Sequence, residues 1–94
     1  KTMDWKVYIL SCSDGTYYTG ITTDIERRLN EHNSGKGAKY TRSRTPVRLE
    51  EYTYFENRSL ATKEELSIKK LSRGKKEKLI HKWRANRLAK YNSN

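Results

Sequence analysis

Residues 17–33, YYTGITTDIERRLNEHN, read as a strand that passes through a polar turn into a short helix, and the fold follows from where its tyrosines point. The partner strand precedes it: Trp5–Leu10, WKVYIL, is aromatic and β-branched, and Ser13-Asp14-Gly15 between the two runs is a hairpin signal. A two-residue Asp14-Gly15 turn would set Tyr8 and Tyr18 on opposite faces. A three-residue loop, Ser13 to Gly15 with Gly15 left-handed, pairs Tyr8 with Gly20 and Leu10 with Tyr18, and both tyrosines then share a face. The three-residue loop is the preferred reading.

Downstream, Thr23-Asp24-Ile25-Glu26 fits a capping box with Thr23 as the cap, and a helix is expected to Asn33, stopped by Ser34-Gly35. At about 100° per residue, Ile25, Leu29 and His32 share one face, Arg28 borders it, and Arg27 points to solvent. GKGAKYTRSRT (35–45) is a basic loop or an interrupted helical turn. Pro46 opens a third strand, PVRLEEYTYF, whose alternation slips near Glu50-Glu51 as at a bulge. Ser59 or Asn57 caps a second helix reaching about Leu71, and Ser72 to Gly74 breaks it. Lys75 to Lys90 forms the last helix, with Leu79, Ile80, Trp83 and Leu88 as its buried side. These elements predict an α+β fold, a three-stranded antiparallel sheet flanked by helices. Residues 3–90 make one domain and 91–94 a frayed tail.

The chain has 94 residues and a formal charge of +10, unevenly placed. Residues 36–48 hold Lys36, Lys39, Arg42, Arg44 and Arg48 with no acid, and residues 69–94 oppose ten Lys and Arg with Glu77 alone. Such asymmetry points to a polyanionic partner, although a solvated basic face is the plainer alternative. A single cysteine, Cys12, excludes an intrachain disulfide and a Cys-based zinc site and suggests a reducing compartment. No apolar run is long enough to span a membrane and no export signal is recognisable, so a cytoplasmic protein without membrane contact is expected.

The ordered set KVY (Lys6 to Tyr8), YTG (Tyr18 to Gly20), Arg28 and His32 resembles the signature of the GIY-YIG nuclease superfamily. GKGAKYTR and IKKLSR add similarity to its small single-domain bacterial branch, over roughly Trp5 to Ile80. The resemblance implies an endonuclease active site shared between a small antiparallel sheet and the helix behind it, using one divalent ion, Mg²⁺ or Mn²⁺, to cut DNA. It gives Tyr8 and Tyr18 as the signature tyrosines, Arg28 as the phosphate-facing arginine, His32 as an aid to proton transfer and a glutamate of the second helix as metal ligand. On a helical wheel with Ala61 at zero, Glu64 falls at about −60° and Glu65 at about +40°, so the residues alone leave both open. The spacing of Ala61, Glu65, Ile68 and Lys69 in the family pattern selects Glu65. This chain departs from the pattern in having Lys6 for the first glycine, Thr19 in the second motif, Ile21 where some members carry a lysine, and no Pro-x-Tyr-Asn after the second helix.

The chemistry explains the residue types. Attack on a phosphodiester builds charge on the phosphoryl oxygens, which a guanidinium can meet at two points. A carboxylate beside it can hold Mg²⁺ with water and substrate completing the shell. A free phenol, with a pKa near 10, is a poor base at neutral pH, which leaves Tyr8 and His32 both open as the general base. Singly, Tyr8 and Tyr18 read as half-buried strand aromatics, His32 as a core histidine and Arg28 as an ion-pair partner of Asp24 or Glu31. Their joint spacing favours a site. Lys36, Lys39, Arg42 and Arg44, extended by Lys69, Lys70 and Arg73, would track a phosphate backbone without reading sequence, with Thr41 adding a hydrogen bond and Tyr40 a stacking surface. The expected function is a DNA endonuclease of repair, recombination or processing, selective for structure such as branched or damaged DNA. The rivals are a nucleic-acid-binding module, for DNA or RNA, that has lost catalysis, and a domain that docks an acidic protein.

Overall fold

A computed structural model of the chain describes residues 4–92, with side chains described to residue 90. The elements are β1 (Trp5–Ser11), β2 (Tyr17–Thr22), α1 (Ile25–Asn33), α2 (Lys39–Arg42), β3 (Arg48–Phe55), α3 (Arg58–Lys69) and α4 (Arg73–Asn92). The three strands form one antiparallel sheet in the order β2-β1-β3, giving the α+β class expected from the sequence.

The hairpin register is that of the three-residue loop. Tyr8 lies opposite Gly20 and Leu10 opposite Tyr18. The Cys12 amide donates to the Thr16 carbonyl at 2.8 Å, and Gly15 closes the turn at φ +84°, where a side chain would be strained. Alternation along β1 then sorts its residues between two layers. Val7 and Ile9 join Ala61, Ile68, Ile80 and Trp83 beneath α3 and α4, while Tyr8 and Leu10 join Cys12 and Val47, with Ile25 and Leu29 of α1 packed on them.

The expected bulge is present: β1 pairs Ile9 with Glu51 but Leu10 with Leu49, leaving Glu50 extra. Glu51 is 2% exposed. Arg87 grips it with two bonds of 2.9 Å, and Arg84 Nε lies 3.3 Å away. Burial alone would raise this carboxyl, but Arg87, the Tyr52 amide and Arg84 hold it below the ordinary carboxylate value. At the other end of the sheet, the Asn33 amide donates to the Val47 carbonyl at 3.0 Å and accepts from the Val47 amide at 2.7 Å, tying the end of α1 to the approach to β3.

Three local expectations are corrected. Asp24, not Thr23, caps α1: its Oδ1 accepts from the Arg27 amide at 3.1 Å, and a carboxylate suits the positive end of a helix better than a hydroxyl. The α3–α4 break is shorter than expected. Ser72 Oγ accepts from the Lys75 amide, so α4 begins at Arg73 with Gly74 inside it. Leu88 is 47% exposed, because it sits about 80° around the helix from Ile80, beyond the face that packs on β3. Asn57, one of the two caps weighed for α3, is the one used, accepting from the Leu60 amide at 2.9 Å. Helix α4 also reaches Asn92, two residues into the stretch read as a tail, and residues 93–94 lie outside the described ones.

Candidate active site

Tyr8 starts in the middle strand, yet its hydroxyl reaches across β2. Gly20 permits this: a Cβ there would run into the Tyr8 hydroxyl and lie 2.6 Å from Cζ. The glycine of YTG is therefore the slot through which the phenol passes. Tyr18, two residues earlier on β2, has its ring centroid 6.4 Å from that of Tyr8 and 5.2 Å from that of His32.

Behind Tyr8 is a chain of buried hydrogen bonds. Its hydroxyl lies 2.9 Å from His32 Nε2, and His32 Nδ1 lies 2.8 Å from Thr41 Oγ1. Thr41 donates its only hydroxyl proton to the Ala38 carbonyl at 3.0 Å, so toward His32 it accepts. Burial first, and the Arg28 charge second, push the His32 pKa down to about 4, so the ring is neutral at pH 7. A neutral ring with its one proton on Nδ1 presents a bare Nε2 to the Tyr8 hydroxyl. His32 is 0% exposed, so its ring meets Tyr8 and Thr41 and not the surface.

The Tyr8 phenol is pushed up to about 12, chiefly by burial, with Arg28 pulling the other way and Tyr18 and Glu65 adding to the rise. Arg28 forms a 2.9 Å ion pair with Glu31 and interacts with the Tyr8 oxygen, so the ion-pair role and the site role coincide in one side chain. Glu65, on α3, is 16% exposed in its side chain and has the Lys69 ammonium 3.3 Å from Oε2. Lys69 in turn stands 5.6 Å from the Tyr18 ring centroid. The five residues expected to act together thus meet at the β2 edge of the sheet, from β1, β2, α1 and α3.

Glu65 is the residue that could hold a metal. No three His, Cys, Asp or Glu side chains gather among the described residues. One carboxylate nevertheless suits Mg²⁺, which keeps several waters and takes other ligands from phosphate, and the Lys69 ammonium marks a spot that already favours a cation.

The basic residues divide. Lys69 lines a recess beside Tyr18, Lys39 and Arg42 are exposed on α2, and Lys70 is exposed at the end of α3. Arg44 is engaged internally: it bonds Asp14 at 2.9 Å and the Tyr40 carbonyl at 2.8 Å and covers the Tyr40 ring at 3.9 Å. Arg73 hydrogen-bonds the Gly15 carbonyl and pairs with Glu77 at 3.5 Å. Lys36 lines a separate hollow with Asp24, Glu26 and Glu31. Of the seven, Lys69 lines the recess beside Tyr18, while Arg44, Arg73 and Lys36 have acidic neighbours within the domain. Thr41, expected to meet the ligand, is buried and bonds His32 instead.

Two contacts of His32 escape sequence reasoning. Thr41 had the signal of a small polar residue in a short helix, but its partner lies nine positions away. Gly37 packs under His32: a Cβ there would strike Nδ1 and lie 2.7 Å from the His32 Cα.

Comparison with known proteins gives the family. A UPF0213 protein of Halobacterium salinarum is 59% identical over 74 residues, 79% of this chain and 96% of that one. The solution NMR structure of the UPF0213 protein from Bacillus halodurans is 52% identical with a TM-score of 0.53, covering 82% of both chains. The solution NMR structure of a protein from E. faecalis is 47% identical with a TM-score of 0.60, covering 90% of both. The family description "GIY-YIG catalytic domain" matches residues 4–79, and by that match the chain belongs to the GIY-YIG nuclease family, alongside the small UPF0213 proteins.

Proposed function

We propose that the protein is a divalent-metal-dependent DNA endonuclease that hydrolyses phosphodiesters and selects substrates by structure, in DNA repair, recombination or processing. The observation that carries this reading is the buried relay from Tyr8 through His32 to Thr41, set beside Arg28 and Glu65. A cytoplasmic setting fits the free, buried Cys12, and none of the described helices is long and apolar enough to cross a membrane.

In this mechanism Arg28 clamps the phosphoryl oxygens and meets their growing charge. Water attacks phosphorus in line with the leaving oxygen. Tyr8 takes the water's proton as it hands its own to His32 Nε2, and because the buried ring beside Arg28 disfavours a charge, the relay holds that proton only in passing and returns it to solvent. The P–O bond to the leaving oxygen breaks, and that oxygen is protonated from solvent. Held by Glu65, Mg²⁺ or Mn²⁺ would supply Lewis acidity at the phosphate. Arg28 also favours phenolate at Tyr8, against the burial that disfavours it.

The test offers branched, flapped, nicked and plain duplex DNA with Mg²⁺ or Mn²⁺. Cutting is expected, with Arg28→Ala and Glu65→Gln losing about 100-fold or more in rate while DNA affinity stays within a few-fold. The second reading, a binding module without catalysis, draws on the Lys69–Glu65 pair, which already neutralises the carboxylate. DNA retained on the protein but uncut under either metal would decide for it.

A further inference from the structure

Next to Tyr18 opens a recess of about 300 Å³, lined by Tyr17, Tyr18, Thr19, Tyr40, Lys69 and Lys76. Its aromatic walls are fixed in place. Tyr40 is backed by the Arg44 guanidinium, itself anchored to Asp14, and lies nearly parallel to Tyr18, with centroids 6.0 Å apart and planes at 23°. Tyr17 donates its hydroxyl to Glu77 at 3.1 Å and carries Arg73 over its ring at 4.9 Å. A second hollow, bounded by Tyr17, Tyr40, Arg73 and Lys76, continues the surface along Tyr17.

We propose that this recess takes one unpaired DNA base beside the scissile phosphate, which makes single-stranded or locally melted DNA the substrate. This inference rests on the reading of the chain as a DNA nuclease. Tyrosine rings stack on any base, because every base has a π-face, and the Lys69 and Lys76 ammonium groups suit the adjoining phosphates. A base inside a duplex is already stacked and paired, and must be extruded before it can enter. Tyr18 belongs both to the catalytic cluster and to this recess, so a base held here puts its own phosphate near Tyr8 and Arg28.

The experiment is fluorescence anisotropy on the full chain without divalent metal. Its probes are a labelled DNA strand about 15 nucleotides long, the same sequence as a blunt duplex, and a strand of equal length made of abasic units. The ordinary single strand is expected to bind about ten-fold or more tightly than either. Tyr40→Ala should remove most of that preference and Tyr40→Phe should keep it. Equal binding of the ordinary and abasic strands, or tighter binding of the duplex, overturns the proposal, and this comparison needs only the unmutated protein. Cleavage assays separate the two readings. Single strands bound in this base-dependent way but never cut would sink the nuclease and leave the recess standing. Single and double strands cut alike, with no dependence on bases, would do the reverse.

Discussion

On the α3 and α4 side of the sheet, Val7 and Ile9 meet Ala61, Ile68, Ile80 and Trp83, a layer held by apolar contact. On the α1 side, Tyr8, from the same strand, meets His32 and Thr41 through directed hydrogen bonds. Neighbouring positions of β1 thus feed two different kinds of interior. The apolar layer depends on volume and loses stability in proportion to what is removed. The polar relay depends on every member being present, since a buried donor or acceptor deprived of its partner costs more than the bond contributed. Both sides bury apolar side chains, but only the α1 side adds the relay that is proposed to do the chemistry.

Substitutions at adjoining places should separate the two layers. The largest effect is expected from Tyr8→Phe, which keeps the ring but removes the proton path: single-turnover cleavage should fall by about 100-fold to 10,000-fold. An unchanged rate would mean that protons leave by another route. Ile68→Ala, in the apolar layer, should lower unfolding free energy by about 2–5 kcal/mol in urea titration, with cleavage by the folded fraction unaltered. If the rate falls as far as for Tyr8→Phe, the layers are not separable.

A smaller change is expected at Gly37, where an added methyl meets His32. Gly37→Ala should destabilise by about 1–3 kcal/mol and shift the His32 ring signals in an NMR spectrum. Unmoved ring signals would show that the loop yields instead. The mildest test is pH. His32 has a folded value of about 4 against an ordinary 6.5, so the unfolded chain takes the proton first. Its contribution to stability is complete above about 6.5, declines as pH falls toward about 4, and is level below that. Glu51, also held low, adds a distinct loss further into acid. His32→Gln should flatten the first decline and leave the second.

The hairpin was legible in the sequence because register depends on local facts. The length of the Ser13–Gly15 loop sets the pairing, and the pairing sets which tyrosines share a face. Helical periodicity placed His32 on the apolar face of α1 with Arg28 at its border, and the family resemblance named both, like Glu65, as site residues. The support of the site was not legible. Thr41 and Gly37 meet His32 only because residues 34–42 fold back along α1, and no periodicity encodes a loop's return path. The internal partner of Arg44 was hidden for a related reason. Its charge is plain in the sequence, while Asp14, which claims it, is thirty residues away. Leu88 misled in the opposite sense, since an apolar residue near the end of a helix is counted as core until the extent of the sheet is known.

The clamp on Glu51 bears on where this domain can be cut. The GIY-YIG match ends at residue 79, whereas Arg84 and Arg87, and Trp83 of the apolar layer, come after it. A fragment trimmed to the boundary of resemblance would retain each proposed catalytic residue and yet strip Glu51 of both its countercharges and the apolar layer of Trp83. Transplanting this domain into another protein therefore means carrying its final helix along.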